Sequence, residues 1–314
     1  MKKFLIKIVL FFALVAGIDV ACGCAFDWLR SKARGGQTWK NQYISEQCVD
    51  DILILGSSKA AHHYVPSIIS DSLGISCFNC GREGNGIIAA YARYNMIVAR
   101  HKPKIVIYEV TPKYDYLEDN GYTSYLGAIR QYANNATIRN EILAFSDDLE
   151  RIRLMSNMYC NNSRIISNIK DIVKQTFSNS CGYEPLFGKM TPAKKKNTDI
   201  IISPSKPIDS LKYNYLEKLV KMSIEDGAKF AFVISPSFEM GVDEEDYVPI
   251  FELCKRYGIP FINNKNCQAI AGKIELFQDK KHLNNAGAIE YSRIVAHQLK
   301  HLDWEKYEDF IISF

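Results

Sequence analysis

Short apolar runs rich in β-branched and aromatic residues alternate along the chain with segments whose apolar residues recur at helical spacing. The apolar runs predict strands at Asp51–Leu55, Ile75–Asn79, Lys104–Val110, Lys229–Ser235 and Ile259–Ile262. The other segments predict helices at Tyr64–Leu73, Gly86–Arg100, Ser210–Asp226, Asp243–Tyr257 and Asn285–Leu299. Such alternation is typical of a parallel sheet covered by helices on both faces. We therefore predict a three-layer α/β/α sandwich around a five-stranded parallel sheet.

One long stretch, residues 111–207, interrupts this alternation after the third predicted strand. Its spacing predicts amphipathic helices at Asn140–Met158 and Ser163–Thr176. Because the stretch leaves the sheet at the edge where ligands bind, we predict a helical cap or lid. Five tyrosines in it could stack on sugars, although packing against the main domain is the favoured interpretation for each: Tyr114, Tyr116, Tyr122, Tyr125 and Tyr132.

The amino terminus predicts a membrane segment. An apolar run from Phe4 to about Val20 follows Met1-Lys2-Lys3, which is the charge asymmetry of a segment with its amino end in the cytoplasm. We favour an uncleaved, single-pass signal anchor in a cell inner membrane with a periplasmic body. Secretion after signal-peptide cleavage is the alternative. Residues 1–24 would be the anchor or signal peptide, 25–47 a polar linker and 48–314 the main domain.

Composition excludes several classes of function. With 314 residues, 47% of them hydrophobic and 24% charged, the chain can bury a large core. Its net charge of +4 is too small to indicate a nucleic-acid partner. Neither a zinc-type nor a Walker pattern occurs, so we predict no metal and no cofactor.

The cysteines do not form a recognisable framework. There are nine, an odd number, and their spacing is irregular. Cys77 and Cys80 have the spacing of a redox pair, but they span the end of a predicted strand and do not begin a helix, so a redox function is weakly supported. Cys160 and Cys181 could close a loop in the insertion.

Two segments at opposite ends of the chain suggest nucleophilic catalysis. The first predicted strand ends in Gly56-Ser57-Ser58 and leads into a helix, which would hold the Ser58 hydroxyl where α/β sheets bind ligands. Near the other end, Asp279 and His282 stand three residues apart. A serine hydroxyl needs an imidazole to take its proton and a carboxylate to orient that imidazole. Alone, either segment could be an ordinary helix start.

With the intervening Asn79-Cys-Gly81-Arg-Glu-Gly84-Asn85, this order resembles the SGNH/GDSL hydrolase superfamily, particularly its membrane-anchored bacterial branch. The resemblance runs from about Asp51 to Leu299, interrupted by the insertion. It implies Ser58 as nucleophile, His282 as base and Asp279 as its orienting carboxylate. It also implies Gly84, or less favourably Gly81, as the glycine of the oxyanion hole.

The third conserved block of that superfamily is not matched. Its Gly-x-Asn-Asp follows the third strand, and its asparagine helps to bind the oxyanion, whereas this chain has Glu109-Val-Thr111-Pro-Lys-Tyr-Asp115. Ser57 also replaces the usual aspartate. Asn85, the Ser58 amide and the Gly84 amide are the remaining candidate oxyanion donors.

The resemblance implies a serine esterase or acyltransferase whose substrate is a small-molecule or glycan ester, such as an O-acetyl group of a cell-envelope glycan. The alternative is a catalytically inactive protein of this fold that binds glycans or assists envelope assembly. His62 and His63 are expected to be structural or to contact substrate, and Glu109 is a further candidate carboxylate of the pocket. The sequence leaves the oligomeric state open.

Overall fold

The computed structural model describes residues 1–118, 127, 129–144, 148–162, 164–174, 180–191, 207–238, 244–304 and 312–313. These residues form two compact units. One unit comprises Met1–Gln47 and Tyr122–Ser178, and the other comprises Cys48–Gly121 and Asn179–Phe314.

The second unit contains a parallel six-stranded sheet in the order β2-β1-β3-β4-β5-β6. Its strands are β1 (Ile52–Gly56), β2 (Cys77–Asn79), β3 (Ile105–Glu109), β4 (Lys229–Ile234), β5 (Phe261–Asn263) and β6 (Ile312–Ser313). The order reverses between β1 and β3, which is the switch point where doubly wound sheets bind ligands at the carboxyl ends of their strands.

Seven α-helices of this unit, numbered together with those of the first unit, accompany the sheet in the described residues. They are α3 (Ser58–His63), α4 (Pro66–Leu73), α5 (Ile87–Val98), α6 (Pro112–Asp115), α11 (Ser210–Glu225), α12 (Val248–Tyr257) and α13 (Asn285–His301). Short 3-10 helices lie at Arg130–Tyr132 in the first unit and at Glu244–Tyr247 and Ile274–Leu276 in the second.

Successive side chains of a strand point to opposite faces of the sheet. Nearly every residue of β1, β3 and β4 is buried, so both faces are covered. On one face, alternate residues such as Ile52, Ile54 and Ile107 join a cluster that includes Tyr64 and the α13 residue Tyr291. On the other face, aromatic rings pack, with the Tyr108 and Phe232 centroids 5.9 Å apart. The predicted α/β/α sandwich with its parallel sheet is confirmed.

The predicted elements differ from the observed ones mainly at their ends. The five predicted strands all occur, and the two-residue β6 is an addition that hydrophobic periodicity did not indicate. The predicted helix over 243–257 begins as a 3-10 turn and becomes α-helical at Val248, where Pro249 follows in the first turn. Proline is well accommodated there because its missing N–H would have no helical partner.

The first unit is helical in its described residues. It contains α1 (Lys2–Lys32), α2 (Gly36–Glu46), α7 (Ala136–Ala144), α8 (Asp148–Arg153), α9 (Asn157–Asn161) and α10 (Ile165–Lys174). The segment predicted as a polar linker, 25–47, comprises the end of α1 and all of α2. The predicted helix over 140–158 overlaps α7, α8 and α9 and is interrupted between Arg153 and Asn157, while residues 145–147 lie outside the described residues.

Helix α1 packs against α9 over its carboxyl-terminal half. The Asp19 carboxylate accepts hydrogen bonds from the Ser156 hydroxyl at 2.6 Å and from the Asn157 and Met158 amides at 2.8 and 3.0 Å. At Gly23, a Cβ would lie 2.7 Å from the Asn157 side chain, so only glycine allows this approach. The polar end of α1 is thus an integral part of this unit.

The same α1 is the one helix of the described chain that is long and apolar enough to cross a membrane. An 18-residue window has a mean hydropathy of 2.4, and none of that window is buried. A signal anchor and a signal peptide both have these properties.

The tyrosines of the insertion and the cysteines are the subject of two further predictions. Tyr116 and Tyr132 are buried, as packing residues would be, whereas Tyr122 and Tyr125 lie outside the described residues. All nine cysteines are free, so the structure contains no disulfide between Cys160 and Cys181.

Candidate active site

The candidate nucleophile lies on a sharp turn between β1 and α3. Gly56, the last residue of β1, has a φ of +134°, and a Cβ there would meet the Glu109 carbonyl oxygen at 2.6 Å. Glycine is therefore required twice, by backbone conformation and by space. Ser58 follows as the first residue of α3, at the carboxyl edge of the sheet.

The structure brings Ser58, His282 and Asp279 together. His282 Nε2 lies 2.8 Å from Ser58 Oγ, and His282 Nδ1 lies 3.0 and 3.1 Å from the two Asp279 oxygens. Because an ionised carboxylate only accepts, Nδ1 carries the imidazole proton and Nε2 presents a lone pair to the hydroxyl. This is the arrangement by which an imidazole can activate a serine.

A tight turn holds the Asp279 carboxylate. Its Oδ1 accepts the amides of Lys281 at 2.8 Å and His282 at 3.0 Å. Burial by itself raises the pKa of Asp279, but the hydrogen bonds from the His282 ring and from these amides outweigh it and lower the pKa to about 2. Asp279 is consequently ionised at neutral pH.

The turn is closed at both ends. Phe277 and Leu283 form an antiparallel bridge across it, and the Gln278 amide donates to the His282 carbonyl at 2.9 Å. Immediately afterwards, Asn284 caps α13 by accepting the Gly287 amide at 3.0 Å. The helix start therefore lies beyond His282, and the catalytic candidates occupy the turn that precedes it.

The loop after β2 contains the three predicted oxyanion residues. Asn79 fixes it to α3 through its side-chain amide, which donates to the Ala60 carbonyl at 2.7 Å. The Gly81 amide donates to Asn79 Oδ1 at 2.9 Å and is thereby engaged within the loop. Gly84 is exposed with a φ of +67°, and Asn85 is buried with its Oδ1 lacking a partner among the described residues. Of the two glycines, Gly84 has the open environment.

Thr111 and Asp115 follow β3, at the carboxyl edge of the sheet. Thr111 Oγ1 lies 2.8 Å from Ser57 Oγ, and the Thr111 amide donates to Asp115 at 2.6 Å. Burial raises the pKa of Asp115 to about 7, while the hydrogen bonds from the Thr111 amide and the Tyr108 hydroxyl act in the opposite direction. The Ser57 hydroxyl is thus engaged by Thr111, one residue before the candidate nucleophile.

Two adjacent histidines of α3 flank the His282 imidazole. The ring centroids of His62 and His63 lie 5.7 and 6.2 Å from that of His282, both edge-to-face. His62 Nδ1 donates to the Glu184 carbonyl at 2.7 Å. Burial holds the pKa of both flanking histidines below the ordinary value, so they are neutral at neutral pH.

The segment 180–191 runs beside the site from β2 to the His282 turn. The Cys181 carbonyl accepts the Asn79 amide at 2.9 Å, the Glu184 amide donates to Ala61, and the Met190 amide donates to Phe277. Sequence periodicity gave no sign of this placement, because the segment has no regular secondary structure. Its place follows from backbone hydrogen bonds to three separate elements.

Sequence reasoning also missed Ser235, which follows β4. Its hydroxyl contacts both His63 and Glu109, and the Lys59 ammonium donates to its carbonyl at 3.3 Å. Glu109, predicted as an extra pocket carboxylate, is fully buried and hydrogen-bonded. A serine that follows a strand is too common a pattern to predict the contacts of Ser235 with His63 and Glu109.

Among solved structures, the chain is similar to a protein from Slackia heliotrinireducens provisionally described as an SGNH hydrolase. The identity is 11%, the TM-score is 0.42, and the match covers 80% of this chain and 100% of that one. It is similar also to a mutant of Axe2, an acetyl-xylooligosaccharide esterase from Geobacillus Stearmophilus. There the identity is 12%, the TM-score is 0.40, and the coverage is 82% and 96%.

Two further comparisons gave no match. No protein-family model matches the chain, and no curated protein matches it.

Proposed function

We propose that this protein is a serine hydrolase that cleaves or transfers an acyl group through a covalent acyl-enzyme. The observation that supports this most directly is the 2.8 Å contact between Ser58 Oγ and His282 Nε2, with Asp279 on the other nitrogen. The engaged Ser57 hydroxyl distinguishes the two neighbouring serines, since it contacts Thr111.

In this proposal Ser58 Oγ attacks the carbonyl carbon of an ester while its proton passes to His282 Nε2. The C–O bond to the leaving alcohol then breaks, and the alcohol oxygen takes the proton from His282. Water, or a sugar hydroxyl in a transfer reaction, attacks the acyl-enzyme and gives its proton to His282 Nε2; the bond between the acyl carbon and Ser58 Oγ then breaks, and Ser58 Oγ takes the proton back from His282. Asp279 stabilises the imidazolium that forms in both steps.

Gly84 and the Ser58 amide are the proposed oxyanion donors, with Asn85 as a side-chain candidate. The first amides of a helix have no partner within the helix, so the Ser58 N–H is available for this role. A single such donor is worth about 3–4 kcal/mol in the transition state. Gly81 is a weaker candidate because its amide already donates to Asn79.

We place the substrate in the cell envelope, as an ester such as O-acetyl on a glycan, and the protein on the outer face of the inner membrane. Support for an uncleaved anchor comes from Asp19 and Gly23, which pack against α9. Cleavage at the small residues Ala21-Cys22-Gly23-Cys24 would remove Asp19 from that contact. Mass determination of the mature protein tests this, since an intact amino terminus is expected and a start after residue 21 would favour secretion.

A non-catalytic glycan-binding or assembly protein is the second candidate. It is favoured by one observation, that Thr111 and Asp115 stand where the superfamily has its oxyanion asparagine. This role predicts glycan binding without turnover.

Labelling of the full-length protein in detergent with a fluorophosphonate probe separates the two candidates. The probe loses fluoride when a serine oxygen bonds to phosphorus, so it reports an activated serine. We expect labelling of the wild type and of Ser57→Ala, and none of Ser58→Ala or His282→Ala. A folded wild type that is neither labelled nor able to cleave short aryl esters would contradict the hydrolase and leave the binding role.

A further inference from the structure

A continuous chain of buried polar groups lies behind the His282 imidazole, and the proposed reaction does not use it. The chain runs from the Leu283 amide through the side chains of His63 and Ser235 to Glu109. The residues His63, Ser235 and Glu109 are all fully buried.

The hydrogen bonds of this chain have one direction. The Leu283 amide donates to His63 Nε2 at 3.0 Å, and an amide N–H can only donate, so Nε2 is the unprotonated nitrogen. His63 Nδ1 therefore carries the proton and donates it to Ser235 Oγ at 2.7 Å. The Ser235 hydroxyl keeps its own hydrogen for Glu109 Oε1, also at 2.7 Å.

The far end of the chain is anchored in the sheet. Glu109 is the last residue of β3, and it also accepts the Ser235 amide at 3.1 Å and the Tyr64 hydroxyl. Burial raises the pKa of this carboxyl group, whereas the positive charge of Lys59 and the hydrogen bonds lower it. A carboxylate with this many donors fixes the Ser235 hydroxyl, and with it the orientation of the His63 ring.

His63 shares its helix with the candidate nucleophile. Ser58 begins α3 and His63 ends it, so the two residues belong to one six-residue element. The Leu283 amide follows His282 directly in the chain. One helix and one hydrogen bond therefore connect the backbone of the nucleophile to the backbone of the base.

We propose that His63 is a positioning residue that sets the distance between His282 and Ser58 by holding the Leu283 amide. The inference rests on the proposed function, since it names what aligns the two reacting groups. Correct alignment has a large effect on rate, because a misplacement of about 1 Å can cost on the order of 10²-fold.

Three full-length variants test the proposal. His63→Leu removes the acceptor for the Leu283 amide, while His63→Gln keeps an oxygen acceptor about as far from the backbone as Nε2. Ser292→Ala is the matched control, because it removes the acceptor of the Val65 amide and a 3.4 Å contact with the His63 carbonyl, but leaves the His63 ring and its bond with the Leu283 amide in place. It thus removes buried hydrogen bonds at the carboxyl end of the same helix without changing the imidazole that accepts the Leu283 amide.

Two readouts are needed, the rate of fluorophosphonate labelling and the rate of amide hydrogen exchange at Leu283. We expect His63→Leu to label on the order of 10²-fold more slowly and to exchange Leu283 faster. We expect His63→Gln to restore most of both, and Ser292→Ala to keep the wild-type labelling rate. Wild-type exchange at Leu283 in His63→Leu, or equal loss of labelling in Ser292→Ala, would overturn the positioning role.

The two proposals can fail separately. If the wild type is not labelled at all, the hydrolase proposal fails, while Leu283 exchange still decides whether His63 holds the His282 turn. If the wild type is labelled and His63→Leu is labelled equally fast, the hydrolase stands and the positioning role is wrong.

Discussion

His282 Nε2 lies 2.8 Å from Ser58 Oγ although 224 positions separate the two residues in the chain. The contact joins the carboxyl end of β1 to the turn before α13. The contact allows His282 to take a proton from Ser58 only if the imidazole proton is on Nδ1. The Asp279 carboxylate, which accepts from Nδ1, keeps the proton there.

Replacing Asp279 by asparagine should nearly abolish reactivity. An amide of the same shape can donate to Nδ1 and so stabilise the tautomer whose proton faces Ser58. By analogy with serine-protease triads, the labelling rate should fall on the order of 10⁴-fold. Asp51→Asn is the matched control, because Asp51 also contacts a histidine, His101, at 3.2 Å. It lies just before β1 begins, at the end of the strand away from Ser58. Similar losses in both variants would argue against a specific role for Asp279.

The low pKa of Asp279 should appear in the pH dependence of stability. Its pKa falls from an ordinary 3.8 to about 2 on folding, so its stabilising contribution is fully present above about pH 4 and is lost as pH falls through 2. We expect the melting temperatures of wild type and Asp279→Asn to converge between pH 4 and pH 2. A difference that stays constant over pH 2–6 would contradict the assignment.

Gly84 and Gly74 offer a matched test of the oxyanion site. They have φ values of +67° and +72°, and a Cβ at either position would meet nothing within 4 Å. Alanine should therefore cost each site about 1 kcal/mol of folding stability through backbone conformation. Only Gly84→Ala should also slow ester hydrolysis, because the strain of alanine at this φ would displace the amide that we propose as a donor. Equal activity of the two variants at matched fractions folded would exclude Gly84 from the hole.

Asp19 should stabilise the first unit. Its carboxylate accepts from two side chains and two backbone amides at the start of α9, so Asp19→Ala leaves those donors without this acceptor and should cost about 1–3 kcal/mol. Asp148→Ala is the control, since the Asp148 side chain is 99% exposed and surface ion pairs contribute little. Thermal unfolding in detergent is the measurement, and equal melting temperatures for the two variants would contradict the structural role.

Much of the fold could be predicted because hydrophobic periodicity is a local property. The strands β1, β3 and β4 are buried on both faces, so their almost continuously apolar composition was enough to predict them. The break between α8 and α9 was not predictable in the same way. The first amides of α9 donate to the Asp19 carboxylate, which lies 138 positions before Asn157 in the chain, so local spacing does not reveal this helix start.

The sequence by itself determined the strand and helix order of the sandwich, the apolar amino-terminal segment and the identities of Ser58, His282 and Asp279 as candidates. These follow from local patterns and short motifs. Only the tertiary structure decided which loop amides remain open, as at Gly84, and which are already engaged. It also decided the contacts of His63 with Ser235 and Leu283, which span 172 and 220 positions. No local pattern encodes such contacts, because they exist only once separate elements have packed together.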